Sequence, residues 1–78
     1  MEVPVAGIDV SKDKLIMYFQ GKLCEFTNDK RGYEEIRKIL PKGCKMGIES
    51  SGIYHVNLAN CLMSEYDVRI INPSIILL

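Results

Sequence analysis

Net charge is the first thing this sequence lacks. Its 78 residues carry ten Lys plus Arg against ten Asp plus Glu, a formal net charge of zero. A protein held to nucleic acid mainly by bulk electrostatics is normally basic, so any such role must rest on a localised site. Histidine occurs once, and the three cysteines, Cys24, Cys44 and Cys61, show no C-x-x-C spacing. No usual structural zinc set can be drawn from these residues. The thiols are expected as small buried hydrophobes or free thiols in a reducing cytosol. No run approaches the ~18 apolar residues of a membrane span. Met1-Glu2 lacks the basic start of a signal peptide, so no membrane partner and a cytoplasmic location are expected. Repeats, linkers and low-complexity segments are missing too. What is present, 47% hydrophobic and 26% charged residues, excludes intrinsic disorder. Below ~80 residues one core supplies only a few kcal/mol of net stability. A chain of this size is therefore expected to lean on a partner, or on a remainder of its own domain.

Residues 3–10, VPVAGIDV, read as a strand that is apolar on both faces. KLIMYF at 14–19 and KLCEFT at 22–27 follow, separated by Gln20-Gly21, and predict an antiparallel meander. Beyond Asn28-Asp29 the period changes. Tyr33, Ile36, Ile39 and Leu40 recur at helical spacing, with Asn28 as N-cap, a Glu34–Lys38 pair, and Pro41-Lys42-Gly43 as the stop. KMGIE at 45–49 predicts a short buried strand. A second helix over about 53–66 presents Leu58, Ala59, Leu62 and Tyr66. DVRIIN at 67–72 predicts a last strand, closed by Asn72-Pro73. Four apolar residues, 75–78, then make a poor ending for a complete domain. The order is βββαβαβ, an α/β class with a mixed sheet. Right-handed crossovers place strand four beside strand one.

That adjacency matters because both strands end alike: Gly7-Ile8-Asp9-Val10-Ser11 and Gly47-Ile48-Glu49-Ser50-Ser51. A period of two puts each glycine on the face of its acid. On neighbouring parallel strands, Asp9 and Glu49 would converge, and the glycines would leave room for an ion and a phosphate backbone. Two close carboxylates repel, and a bound cation removes that cost. Oxygen ligands suit Mg²⁺ or Mn²⁺, the ions of in-line phosphodiester chemistry. The plainer alternative is structural. Asp9 would accept from amides of the following turn, and Glu49 would sit at the N-terminus of the second helix. Lys12 and Lys14, in the turn after Asp9, either position a nucleic-acid backbone or are solvated turn lysines. Ser50 or Ser51 is expected to cap the second helix, whose first amides would otherwise face an anion. His55 is either a support for a metal ligand or a packing residue. Tyr18, Tyr33 and Tyr66 are expected at core edges.

Several stretches resemble the N-terminal part of a DEDD-type insertion-sequence transposase or recombinase. The family is the "one-hundred-and-ten" class, whose first domain is RuvC-like. The stretches are Gly7-Ile8-Asp9-Val10-Ser11-Lys12-Asp13-Lys14-Leu15, Phe26-Thr27-Asn28 leading to Gly32-Tyr33, Gly47-Ile48-Glu49-Ser50-Ser51-Gly52-Ile53-Tyr54-His55, and Asn72-Pro73. They run in order through nearly all of the chain. The resemblance implies a ribonuclease H-like fold truncated after the fifth strand, with 1–78 as a partial domain and a second transposase domain absent. It implies that Asp9 and Glu49 are two of four metal-binding acids, and that the other two fall beyond the final strand. Neither Asp13 nor Asp67 stands in their place. It implies DNA as partner, in some relatives with a guide RNA, and an intact protein that cuts and rejoins DNA with Mg²⁺ or Mn²⁺. The chain by itself is then expected to be inactive.

Two other classes are weighed. An actin-like or sugar-kinase ATPase also opens on a Gly-Ile-Asp strand, but needs a glycine-rich hairpin to cradle phosphates. Here the hairpin is Ser11-Lys12-Asp13-Lys14, without glycine and with an acid. A non-catalytic module, whose acids only hold turns and whose sheet edges pair with a second copy, is the other; a homo-oligomer is expected on that ground.

Overall fold

The computed structural model describes residues 4–50 and 52–71. Five strands and two helices follow one another as β1 (Val5–Val10), β2 (Lys14–Phe19), β3 (Lys22–Thr27), α1 (Lys30–Ile39), β4 (Lys45–Glu49), α2 (Val56–Leu62) and β5 (Asp67–Ile71). The βββαβαβ order expected from the sequence is the order observed. The strands form one mixed sheet, β3-β2-β1-β4-β5. β1 pairs antiparallel with β2 and parallel with β4, and β5 adds parallel to β4.

The meander forms because its turns are short and chemically suited. Gln20 and Gly21 both take positive φ, 50° and 79°. Such a two-residue turn matches the right-handed twist of the flanking strands. The β1–β2 link is closed by the Ser11 amide, which donates to the Lys14 carbonyl at 3.0 Å. Alternation then sorts the side chains. Ala6, Ile8 and Val10 of β1, Leu15, Met17 and Phe19 of β2, and Met46 and Ile48 of β4 all face one side. There they meet Tyr33 and Ile36 of α1 and Leu58 and Leu62 of α2 in a single core. Both helices cover the same side of the sheet. The opposite face lacks a covering layer among the described residues, and it carries Asp9 and Glu49.

The helices depart from expectation in detail. Asp29, not Asn28, caps α1: its Oδ1 accepts the Gly32 amide at 3.0 Å and the Thr27 hydroxyl at 2.7 Å. The two hydrogen bonds, the Gly32 amide first, hold the Asp29 carboxyl below its ordinary pKa. Glu34 pairs with Arg37 rather than Lys38, and the i,i+4 pair of α1 is Arg31–Glu35 at 3.7 Å. Ile39 is exposed instead of joining the core stripe.

α2 spans only Val56–Leu62, not 53–66. Its start is set back because the Tyr54 carbonyl accepts from the Asn28 side chain, and Ile53 closes a turn by accepting the Val56 amide. Its end is set by a reversal into β5, in which the Glu65 and Tyr66 amides both return to the Leu62 carbonyl. Tyr66 reaches the core from that turn, and its hydroxyl donates to the Leu40 carbonyl at 2.9 Å. The first strand begins at Val5, and the last ends at Ile71. Residues 1–3, Ser51, Asn72-Pro73 and the apolar run 75–78 lie outside the described residues.

Candidate functional site

The parallel pairing of β1 with β4 aligns Gly7 with Gly47 and Asp9 with Glu49. Adjacent strands lie about 4.8 Å apart. The two acids are therefore lateral neighbours on the uncovered face, and both are exposed. Neither has a salt bridge or a side-chain hydrogen bond among the described residues. The structural alternative for both acids loses its expected partners. The Ser11 amide and hydroxyl are both spent on the Lys14 carbonyl, at 3.0 and 3.1 Å, rather than on Asp9. Glu49 does not cap α2, which starts at Val56 behind a non-hydrogen-bonding His55 cap.

The glycines keep the floor beside the acids low. A Cβ added to Gly7 would meet nothing within 4 Å, and one added to Gly47 only the Ile71 Cδ1 at 3.6 Å. The fold thus does not require glycine at position 7 for close packing. The result is a shallow depression of about 470 Å³ walled by Ile16, Tyr18, Asp9 and Glu49 over Gly7 and Gly47. Tyr18, expected at a core edge, stands 56% exposed on this wall, whereas Tyr33 and Tyr66 are buried.

The donor set fits a hard cation in part. Two carboxylates, with water and substrate oxygens completing the shell, are a common way of holding Mg²⁺. Among the described residues no group of three or more His, Cys, Asp or Glu side chains gathers to hold a metal. Among the described residues the pair would supply at most two protein ligands to such an ion.

The two lysines separate. Lys12 is exposed in the β1–β2 link. Lys14, at the end of that link, opens β2 and ion-pairs across the uncovered face with Glu25 of β3 at 3.8 Å. Its charge is partly answered within the sheet. The link itself offers no phosphate cradle of the ATPase kind: it has no glycine, and its Ser11 amide is already bonded to Lys14.

Ser50 is buried, and its hydroxyl exchanges long hydrogen bonds with the Gly52 backbone at 3.4 Å. It therefore shapes the bend after β4 rather than capping α2, and Ser51 lies outside the described residues. His55 is half-buried, and its Nδ1 has no hydrogen-bond partner among the described residues. The cysteines are free: Cys44 is buried and Cys24 and Cys61 half-buried. Burial raises the Cys44 thiol above its ordinary pKa.

A second cavity, about 590 Å³, lies on the helix side between α1 and α2, lined by Asn28, Tyr33, Asn57, Asn60 and Cys61 among others. The carboxylate beside it, Asp29, is engaged in capping. This cavity has no paired acids, whereas the depression over Gly7 and Gly47 is walled by Asp9 and Glu49.

One residue does more than its sequence position implies. Asn28 is not a cap but a junction. Its side-chain amide donates to the Ser11 carbonyl at 3.0 Å and the Tyr54 carbonyl at 2.9 Å, and its Oδ1 accepts the Tyr33 hydroxyl at 2.6 Å. Its membership in the Phe26-Thr27-Asn28 stretch that carries the family resemblance was the available signal.

No protein-family profile and no curated protein matches the chain. No helix among the described residues is long and apolar enough to cross a membrane. What fold and site define together is a class: an α/β protein with a five-stranded mixed sheet that sets two carboxylates side by side at the ends of its central parallel strands.

Proposed function

We propose that this chain is the N-terminal part of a ribonuclease H-like, metal-dependent DNA recombinase of the insertion-sequence transposase type. The observation that carries the reading is the register of Asp9 against Glu49 on β1 and β4. The low glycine floor beside them supports it, since a strand glycine not needed for packing suits close approach of a ligand or another backbone. Asp9 and Glu49 would hold Mg²⁺ or Mn²⁺. Such an ion, when bound, polarises phosphate oxygens and lowers the pKa of a bound water. The side chains would orient the ion, and Gly7 and Gly47 leave open space beside the acids for a phosphodiester backbone. Lys12, which has no ion pair among the described residues, follows this end of β1 and would steady a phosphate. DNA is the proposed substrate; an RNA guide and self-association belong to the intact protein in this reading.

Two of the four acids are at hand, so the chain by itself is expected to bind the ion weakly and to leave DNA uncut. The experiment is a Mn²⁺ titration followed by amide NMR. The expected result is selective broadening around Asp9 and Glu49 that Asp9→Asn removes. Uniform or absent broadening overturns the reading. In parallel, supercoiled plasmid with Mg²⁺ or Mn²⁺ should remain uncut. Cleavage that Asp9→Ala abolishes would overturn the expectation of inactivity.

A further inference from the structure

Asp9 and Glu49 are followed by separate stretches of chain, the β1–β2 link and the bend leading to α2. Strand pairing aligns the acids laterally but does not by itself fix these flanking segments, one of which bears Lys12. A single side chain ties them together. The Nδ2 of Asn28 lies 3.0 Å from the Ser11 carbonyl and 3.4 Å from the Lys12 carbonyl, both after Asp9, and 2.9 Å from the Tyr54 carbonyl, after Glu49. The Asn28 backbone amide adds a further bond to the Asp13 carbonyl at 3.0 Å. A primary amide has two N–H donors and one acceptor oxygen. Here both donors face carbonyls, and the oxygen accepts from Tyr33, a buried residue of α1.

That arrangement specifies the residue type. Aspartate has nearly the same shape but would set an oxygen against three carbonyl oxygens. The Tyr33 hydroxyl fixes which end of the amide points where. Because Tyr33 is anchored in the core with Ile36, the junction is referred to the rigid part of the fold.

We propose that Asn28 is a positioning residue of the acid pair: it locks the segment after Asp9 to the segment after Glu49, so that both carboxylates address one ion. This inference rests on the reading of Asp9 and Glu49 as an ion-holding pair. Residues that orient metal ligands without touching the metal typically change affinity by about 10–100-fold when altered. The structure puts Asn28 in that role for the backbone bearing the ligands.

The test uses the chain itself with Mn²⁺ alone as probe. Asn28→Asp is expected to weaken Mn²⁺ binding about tenfold, and Tyr33→Phe, which keeps the fold's packing, to weaken it by less. Backbone order parameters at Lys12 and Asp13 and at Ile53 and Tyr54 should fall together in both variants. Tyr66→Phe, which removes a remote hydrogen bond to Leu40, is the control for lost stability, and should melt earlier with unchanged affinity. If Asn28→Asp is too unstable, Tyr33→Phe decides. Folded variants that bind Mn²⁺ like the wild type, or in which only one of the two segments loosens, overturn the inference while leaving the acid pair standing. A wild-type chain with no Mn²⁺ effect at Asp9 and Glu49 overturns the acid-pair reading itself, and this inference with it.

Discussion

Gly32 shows how a single atom can reverse a propensity. In the first turn of α1, replacing glycine by alanine ordinarily stabilises a helix by up to about 1 kcal/mol. Here an added Cβ would stand 1.8 Å from the Thr27 carbonyl oxygen. Backbone must move, so Gly32→Ala is expected to destabilise by about 1–3 kcal/mol, read from urea unfolding. A gain in stability would show that α1 sits farther from β3. Asp29, whose carboxylate accepts from both the Gly32 amide and the Thr27 hydroxyl, sets a pH dependence. Its folded pKa lies below the unfolded value, so its contribution is fully present above about pH 4 and disappears as pH falls through the folded pKa. Asp29→Ala should lower the melting temperature by roughly 4–8 °C at pH 7, with a smaller difference at pH 3. An equal difference at both pH values would remove the carboxylate from the account. Glu49 makes the opposite kind of statement. Two carboxylates at neighbouring register positions repel, by up to about 1 kcal/mol at such range in water. Glu49→Gln should raise the melting temperature in EDTA and abolish any rise produced by added Mg²⁺. A melting temperature unchanged under both conditions would argue against a coupled pair.

At the level of elements, the strands were the legible part and the junctions were not. The runs Lys14–Phe19, Lys22–Thr27 and Lys45–Glu49 have the expected bounds, and each has one buried and one open face, so that KMGIE, expected as a buried strand, is covered on one side only. The pairing of β1 with β4 followed from chain connectivity, and with it the lateral approach of Asp9 and Glu49. The expected span of α2 is too long at both ends because the carbonyls of Ile53 and Tyr54 accept from the Val56 amide and the Asn28 side chain, and the Tyr66 amide turns back to Leu62. Asn28 was misread for the same reason: capping is a local pattern, whereas its partners lie 17 and 26 residues away. Arg37 is another long-range tie that spacing does not reveal. It donates to the Glu65 carboxylate at 3.0 Å and to the Cys61 carbonyl at 2.8 Å, joining α1 to the end of α2. A seven-residue helix is too short to hold by itself. Arg37→Met should therefore speed amide exchange through Leu58–Leu62 more than through β1 or β2. Uniform acceleration across the sheet would show that α2 does not depend on this tie.

For the whole molecule, the core is one cluster lying on one side of one sheet. Ile48 and Leu58 are fully buried within it, on β4 and the short helix α2. A buried Leu or Ile cut to Ala costs about 2–5 kcal/mol, comparable to the few kcal/mol a domain of this size commands. Leu58→Ala is expected to leave the chain largely unfolded at 25 °C by circular dichroism; a cooperative melt above 40 °C would show that some further stabilisation is present. The connectivity of the sheet also imposes a timetable. β1, β2 and β3 are joined by short links and need little loop closure, whereas Asp9 meets Glu49 across 40 positions of chain, a non-local closure of the kind that slows folding. During folding, the first acid can be seated in its hairpin before the crossover that carries the second has closed. The acid pair is thus a late product of assembly: a partly folded chain can present a lone aspartate, but not two carboxylates side by side.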